Sequence, residues 1–231
     1  MLKPLKNTIA GALSFAPTSL RTRFKEFNEL MFWRMHKIKS GNEFYSAHMP
    51  QFFTKHFGLE LADYNDKRIL DVGCGPVGTL EWADMALERI GADPLANQYL
   101  KLGADRQKMK YVAAASEDLP FEDGYFDVVS MFNALDHVED TAASIAELRR
   151  VCRPGGDLLI IVEINHKPTV SEPHFLTEED ILSIEGFDVV TKKVTSINEA
   201  HDVYQSLMEN SPPSDPNGEA ILSVHFRKKT I

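Results

Sequence analysis

One short segment constrains the fold of this chain more than any other. Residues 68–72 have the apolar character of a buried β-strand and run directly into a glycine-rich loop, residues 73–78 (GCGPVG). Glycines let the backbone turn sharply and let a ligand approach without a Cβ in the way. We expect a helix to start after this loop. The free N–H groups at the start of that helix would then bind polar ligand atoms. The segment therefore predicts a ligand-binding α/β fold.

The central part of the chain alternates short apolar strands with helical stretches. We expect helices over Thr141–Cys152 and from a capping box at Thr177 to Gly186, with a turn at Arg153–Gly156 between them. The expected strands are Arg68–Val72, Arg89–Asp93, Lys110–Ala114, Phe126–Met131, Asp157–Glu163 and Phe187–Val194. Such alternation predicts a parallel sheet with right-handed crossovers. A helix over Glu199–Glu209 and an antiparallel strand over Ala220–Arg227 follow it.

The flanks of this central part predict a domain organisation. Apolar residues recur at spacings of three and four from Leu20 to Lys39, and aromatic residues cluster between Tyr45 and Phe57. We expect these apolar faces to pack on the main domain and to cover a ligand cleft. Residues 1–65 are therefore assigned to an N-terminal helical cap or lid, and residues 66–231 to a Rossmann-like domain with an insertion at 194–218.

Charge and cysteine content narrow the function classes. The 231 residues include 34 acidic and 25 basic side chains, for a formal net charge of −9. An acidic surface argues against non-specific nucleic-acid binding, which needs clustered Lys and Arg. The two cysteines, Cys74 and Cys152, have no disulfide or zinc spacing, which is typical of a reducing cytoplasm. We expect a cytoplasmic protein without membrane contact, and a homodimer stays open.

Two acidic residues indicate what the glycine loop binds. Asp71 lies two residues before Gly73, where a carboxylate would repel a diphosphate but would suit a ligand with an ammonium group. Asp93 follows Gly73 by 20 residues at the end of the second strand, where a carboxylate can accept both hydroxyls of a ribose. Asp93 alone also fits a nicotinamide dinucleotide, so an NAD(P)-dependent oxidoreductase remains an alternative.

Five motifs in order make the reading more specific. They are ILDVGCGPVG, ADP, SEDLPFEDGYFDVV, NALDHV and ELRRVCRPGG, all between residues 66 and 165. This order resembles the class I S-adenosylmethionine-dependent methyltransferases, and in particular their small-molecule group. The resemblance implies a three-layer Rossmann-like sandwich whose seven-stranded, mostly parallel sheet has an antiparallel last strand. It also implies S-adenosylmethionine as the cofactor and O- or N-methylation of a small molecule. A non-catalytic S-adenosylmethionine-binding module is a further alternative.

The resemblance also implies roles for individual residues. Asp71, Gly73, Cys74 and Gly75 would hold the methionine part of the cofactor, and Asn133 would contact it beside the substrate pocket. Asp93 would bind the ribose. Pro94 and Leu95 would flank the adenine, and Ser116 and Glu117 would line its edge. Tyr45 and His48 would belong to the lid over the cofactor. Ala115 departs from the pattern, because many relatives have Asp there to contact the adenine amine.

Histidines near the strand ends are the candidate catalytic groups. His137, with Asp136 beside it, follows the fourth strand, where open α/β sheets place their ligand crevice. An imidazole titrates near neutral pH, so His137 is the first candidate for a general base and Asp136 the second. His166 and His174 follow the fifth strand and border the same crevice. A metal site from Asp136, Glu163, His166 and His174 matches no recognised ligand spacing, so we expect no metal.

Overall fold

The protein folds around one seven-stranded sheet. The structure is a computed structural model that describes residues 18–41, 43–44 and 46–230. The strands are β1 (Arg68–Val72), β2 (Glu88–Ala92), β3 (Lys110–Val112), β4 (Phe126–Phe132), β5 (Cys152–Ile164), β6 (Phe187–Ser196) and β7 (Ala220–Lys228). Their order is β3-β2-β1-β4-β5-β7-β6. Strands β1 to β5 pair in parallel, and β7 is antiparallel to both β5 and β6. The predicted fold class, including the antiparallel last strand, is confirmed.

Six α-helices and several 3₁₀ turns surround this sheet within the described ranges. The helices are α1 (Thr18–Lys39), α2 (Pro50–Phe53), α3 (Ala96–Lys101), α4 (Thr141–Val151), α5 (Glu178–Leu182) and α6 (Val203–Glu209). The predicted capping box at Thr177 is present and starts α5. Helix α6 begins later than predicted, because Asp202 Oδ1 accepts a hydrogen bond from the amide of Gln205 at 2.9 Å and thereby caps it.

The core lies on both faces of the sheet. Along β5, Leu158, Ile160 and Val162 point into one apolar cluster. Leu159 and Ile161 point into the other. All five side chains are fully buried, as the apolar run predicted for a central parallel strand. The expected turn at residues 153–156 is instead absorbed into a longer β5, with an irregular register against β4 and a left-handed Gly155 (φ +70°).

The expected helix after the glycine loop is absent: residues 73–87 form consecutive turns. Side chains donate hydrogen bonds to backbone carbonyls that would accept from backbone amides in a helix. The Arg89 guanidinium donates to the carbonyls of Leu80 and Glu81 (3.3 and 2.9 Å), and Trp82 Nε1 donates to that of Thr79 (2.9 Å). The prediction of a ligand-binding helix start was therefore wrong, and the loop offers turn amides instead.

Helix α1 lies on the domain by the face that the sequence did not predict. Its apolar residues Phe27, Met35 and Ile38 are 60%, 49% and 63% exposed. The side chains that contact the domain include Thr22, Lys25, Trp33 and Lys37, on another face of the helix. The expectation that the apolar face packs inward is wrong for α1. It holds for the segment around α2, where Phe52, Phe53 and Phe57 are buried.

Candidate active site

The glycine loop lies at the carboxyl end of β1, where it meets the end of β4. Gly73 and Gly75 have left-handed φ values of +71° and +55°, which disfavour a side chain. A Cβ on Gly73 would lie 2.5 Å from Ala134 Cβ, so the loop can adjoin the segment after β4 only because residue 73 has no side chain. Residues 73–75 and 133–134 thus form one continuous surface.

Asp71 lies beneath this loop rather than in the open cleft. The residue is 2% exposed. Its Oδ2 accepts a hydrogen bond from Thr79 Oγ1 at 2.5 Å and its Oδ1 accepts one from Ser130 Oγ at 2.6 Å. Burial raises the pKa of this carboxyl to about 6, although both hydroxyls favour its ionised form. The carboxylate therefore ties the turn after the loop to the neighbouring strand β4.

Asp93 lies at the tip of β2 and joins the second strand to the glycine loop. Its Oδ2 accepts a hydrogen bond from the amide of Gly75 (3.1 Å), and its Oδ1 accepts one from the amide of Leu95 (2.8 Å). The carboxyl is 8% exposed, and burial together with the nearby Glu29 raises its pKa to about 6. These contacts fix an acceptor group at the tip of β2, within hydrogen-bonding distance of Gly75.

The remaining residues predicted around this cleft have varied environments. Cys74 turns its thiol into the core, where a Cβ on Gly91 would lie 2.5 Å from its Sγ, so only its backbone faces the loop. Ser116 is buried, and its hydroxyl is 2.8 Å from that of Ser144. Glu117 Oε1 accepts hydrogen bonds from the amides of Glu139 and Asp140. These side chains are packed in the core or hydrogen-bonded within the protein, so these residues would contact a ligand through their backbone atoms.

An apolar wall beside Asp93 completes the cleft, and an aromatic ring covers it. Leu95, Tyr99 and Ala104 form a small buried cluster against which Trp33 of α1 packs. A Cβ on Gly75 would lie 3.0 Å from Trp33 Cζ2, so the indole rests directly on the glycine loop. Trp33 Nε1 donates to Glu29 Oε1 at 2.6 Å. A flat heteroaromatic ring thus already occupies the slot between the loop and the apolar wall.

Helix α1 is fastened on both sides of this slot. Lys25 Nζ donates to the carbonyl of His137 and to Glu139 Oε1, both at 3.0 Å. Two turns beyond Glu29, Lys37 donates to the carbonyl of Leu102. Residues 25, 29, 33 and 37 recur every four positions and so share one helix face. The helix therefore spans the edge of the sheet from the loop after β4 to the end of α3.

A second group of polar side chains lies at the ends of β4 and β5. Asn133 Oδ1, Asp136 Oδ1 and His166 Nε2 are buried, and none has a hydrogen-bond partner in the described chain. Buried polar atoms are normally paired, so such orphaned atoms require an explanation. Asn133 and Asn165 both have left-handed backbones (φ +50° and +60°), a strained conformation that is common at functional sites.

The three histidines that were predicted to be catalytic have different partners in the structure. His166 Nε2 lies 3.6 Å and His137 Nε2 lies 4.0 Å from Asp136 Oδ2. His174 Nε2 is engaged by the carbonyl of Val138 at 2.8 Å, which joins the loop after β5 to the loop after β4. The structure therefore brings His137 and His166 to Asp136, whereas His174 holds two loops together.

The two residues predicted for the lid have different outcomes. Tyr45 lies outside the described residues. His48 packs against the rings of Phe52 and Tyr204, with centroid distances of 6.2 and 5.8 Å. Burial lowers the pKa of His48. Its predicted contact with the cofactor stays a prediction.

Comparison with protein families supplies the observation that decides the class. Residues 70–160 match the model of a methyltransferase domain family, and this range contains the glycine loop, Asp93, Asn133 and Asp136. The chain carries a class I S-adenosylmethionine-dependent methyltransferase domain. The resemblance recognised in the sequence is thereby confirmed, and the cofactor of this class is S-adenosylmethionine.

Relatives of this methyltransferase domain include annotated enzymes at low identity. A ubiquinone/menaquinone biosynthesis C-methyltransferase of Idiomarina loihiensis is 27% identical over 95% of the chain and 81% of its own length. The same-named enzyme of Shewanella piezotolerans is 32% identical over 48% of the chain, and the match spans only 44% of that relative. A solved Thermotoga maritima methyltransferase, described as a possible histamine N-methyltransferase, has a TM-score of 0.58 and 20% identity, covering 89% of this chain and 98% of its own.

The cleft of the methyltransferase domain fits the cofactor of its class. The indole of Trp33 shows that the slot between Gly75 and the wall formed by Leu95 and Tyr99 accepts a flat ring. A carboxylate stands beside this slot at the tip of β2. The glycine loop leads from there to the segment after β4. An adenine, a ribose and an amino-acid tail would find suitable surfaces in that order.

Three residues that border the candidate site were not predicted from the sequence. Trp33 and Glu29 lie on a different face of α1 from the one that its apolar periodicity indicates. Glu172 lies between His166 and His174, and its Oε1 is 3.9 Å from His137 Nε2. The Thr169-x-x-Glu172 spacing, which closes a local turn, was the available signal.

None of the described helices is long and apolar enough to cross a lipid bilayer.

Proposed function

We propose that this protein transfers the methyl group of S-adenosylmethionine to a small molecule bound at the ends of β4 and β5. One observation carries the proposal: the orphaned polar atoms of Asn133, Asp136 and His166 adjoin the glycine loop through Ala134. An acceptor bound there would pair these atoms and would lie next to the methionine end of the cofactor. The cofactor supplies a methyl group on a positively charged sulfur, whose departure leaves a neutral thioether.

The cofactor roles proposed for individual residues follow from their surroundings. Asp93 would accept the ribose hydroxyls, and Leu95 with Tyr99 would flank the adenine. Gly73 and Gly75 would present backbone amides to the amino-acid part. Asp71 would act from beneath, because its oxygens are already engaged by Thr79 and Ser130. Its negative charge would still favour the ammonium group of the cofactor over a diphosphate.

His166 is the proposed group that removes a proton from the acceptor. The carbonyl of Lys167 lies 3.2 Å from His166 Nδ1 and can hold a proton on that nitrogen. In the neutral ring, Nε2 then carries a lone pair, and it has no partner in the described chain. An acceptor O–H or N–H would meet this nitrogen. His137 is more exposed, and His174 uses its Nε2 to join two loops, so both are proposed to position the acceptor.

Helix α1 is proposed to be the lid over the cofactor cleft. Trp33 occupies the slot assigned to the adenine, so a bound cofactor requires the indole to move. The contacts of α1 with the domain include polar contacts of Thr22, Lys25 and Lys37 and the packing of the Trp33 ring. Such a helix can lift without disturbing the sheet. The assignment of residues 1–65 to a lid is part of this proposal.

Calorimetry tests the cofactor half of the proposal. Purified protein titrated with S-adenosylmethionine and S-adenosylhomocysteine should release or absorb heat, whereas NAD should not. Asp93→Ala should lose most of the affinity. Asp84→Ala serves as the control, because Asp84 is an exposed carboxylate whose ion-pair partners in the described chain are Arg89 and Lys108. Binding of NAD instead would support the oxidoreductase alternative and would overturn the proposal.

A metabolite screen with isotopically labelled methyl donor tests the transfer itself. Labelled product that depends on His166, and that forms on oxygen or nitrogen, is the expected result. Cofactor binding without turnover across broad acceptor pools would favour the non-catalytic binding module.

Carbon methylation is the second candidate, because two of the relatives are named as C-methyltransferases. Product NMR separates the two outcomes, since a methyl group on carbon and one on oxygen or nitrogen have different chemical shifts and couplings. A product with a new carbon–carbon bond would reject O- and N-methylation while leaving the methyltransferase assignment intact.

A further inference from the structure

Asp136, His137 and Glu172 form a cluster whose charges are not balanced within the described chain. One donor atom from each residue lies within 4.8 Å of the other two. Among the described residues, the ion-pair partners of Asp136 are His137 and His166, and the ion-pair partner of Glu172 is His137. No lysine or arginine of the described ranges forms an ion pair with either carboxylate. Burial raises the pKa of a further carboxyl, Glu163, and the charges of Asp136 and Glu172 add to this effect.

The orientation of Asp136 and His166 is unfavourable without a cation. Asp136 is 1% exposed, and its Oδ1 has no hydrogen-bond partner among the described residues. His166 turns Nε2 toward Asp136 Oδ2 at 3.6 Å, beyond hydrogen-bond length, while its Nδ1 faces a carbonyl. A neutral imidazole in that tautomer directs a lone pair at a carboxylate. A positive charge near Asp136 would remove this repulsion.

The structure assigns a binding site for one divalent transition-metal ion to Asp136, His137 and Glu172. One nitrogen and two carboxylate oxygens are a ligand set that Zn²⁺, Co²⁺ and Mn²⁺ accept. Tetrahedral Zn²⁺ keeps such donors about 3.4 Å apart. The separations of 3.9 and 4.0 Å from His137 Nε2 therefore need only a small contraction.

The surroundings of the three ligands support a metal role. Thr169 Oγ1 donates to Glu172 Oε2 at 3.0 Å, which leaves Oε1 as the oxygen that faces His137. Hydrogen bonds of this kind orient metal-binding carboxylates. Three protein ligands leave a coordination position open, as in catalytic metal sites. An oxygen of the acceptor would take that position beside His166. The metal site goes beyond methyl transfer and does not require the cofactor.

The test is metal binding by the full chain, stripped with a chelator and carrying no histidine tag. Calorimetric titration with Zn²⁺, and the visible absorption of bound Co²⁺, should both report one site. Asp136→Asn and Glu172→Gln should each weaken binding tenfold or more. Glu178→Gln is the matched control, because Glu178 is a partly exposed acid that pairs with Lys192 and is not a member of the cluster. His137→Gln is a third variant. It should disturb folding less than Asp136→Asn does, since the His137 side chain is one-third exposed.

The possible outcomes separate this inference from the proposed function. Absence of a site, or unchanged affinity in Asp136→Asn, Glu172→Gln and His137→Gln, would overturn the metal assignment. Each protein is also titrated with S-adenosylmethionine. Cofactor heat without metal binding rejects the metal site alone, and metal binding without cofactor heat rejects the proposed function alone.

Discussion

At the scale of single residues, two buried carboxyls make opposite demands on pH. Both oxygens of Asp93 accept backbone hydrogen bonds, and the group would accept those of a ribose best when it is ionised, yet burial raises its pKa to about 6. Cofactor binding favours the ionised form, so affinity should fall as the pH drops below 6, approaching about tenfold per pH unit. Calorimetry between pH 5 and 8 measures this. Asp93→Asn should bind weakly throughout, without that pH dependence, and a wild-type affinity constant down to pH 5 would refute the assignment.

Asp71 predicts an effect on stability instead. Its pKa is raised from 3.8 in the unfolded chain to about 6 in the folded one. The unfolded state therefore ionises first, and this group lowers the free energy of unfolding as the pH rises from about 4 to about 6. The total is about 2–3 kcal/mol at 1.36 kcal/mol per pKa unit. Urea unfolding should show that, between about pH 4 and pH 6, the free energy of unfolding of Asp71→Asn rises relative to that of the wild type by this amount. Parallel pH curves would contradict the prediction.

At the scale of secondary-structure elements, α1 competes with the cofactor for one slot. Trp33→Ala removes the indole from Gly75 and from the wall formed by Leu95 and Tyr99, so S-adenosylmethionine should bind more tightly. We expect a gain of several-fold, because the ligand no longer has to displace a packed ring. Phe27→Ala is the control, since that ring lies on the exposed face of the same helix and is 60% exposed. A weaker cofactor affinity in Trp33→Ala alone would mean that the indole stacks on the ligand rather than excluding it.

The segment between β1 and β2 forms turns instead of a helix, and the side chain of Arg89 binds backbone carbonyls in it. Arg89→Ala would leave the carbonyls of Leu80 and Glu81 without these partners, at a cost of about 1–3 kcal/mol in the free energy of unfolding. Thermal or urea unfolding measures the loss. Lys108→Ala removes an exposed ion pair to the same Asp84 and should change stability by less than about 1 kcal/mol. Equal effects of the two substitutions would show that the carbonyl contacts are unimportant.

At the scale of the whole molecule, the sheet was predictable and the cover over its edge was not. Alternating apolar strands, the glycine loop and the motif SEDLPFEDGYFDVV are local patterns that predicted the strand positions, and the resemblance that they carry implied the antiparallel β7. The packing of α1 depends on long-range contacts of Lys25, Trp33 and Lys37, for which its apolar periodicity pointed to the wrong face. Glu172 approaches His137 only because two loops meet at the edge of the sheet.

The attachment of α1 at both ends has a kinetic consequence. Lys25 holds the loop that leads from Asp136 and His137, while Trp33 lies on the loop that would hold the cofactor. If α1 is the lid proposed above, its movement away from the domain would release both loops at once, and its return would cover them again. Entry of the two reactants, and escape of the two products, would then share one gate whose opening rate caps the turnover number.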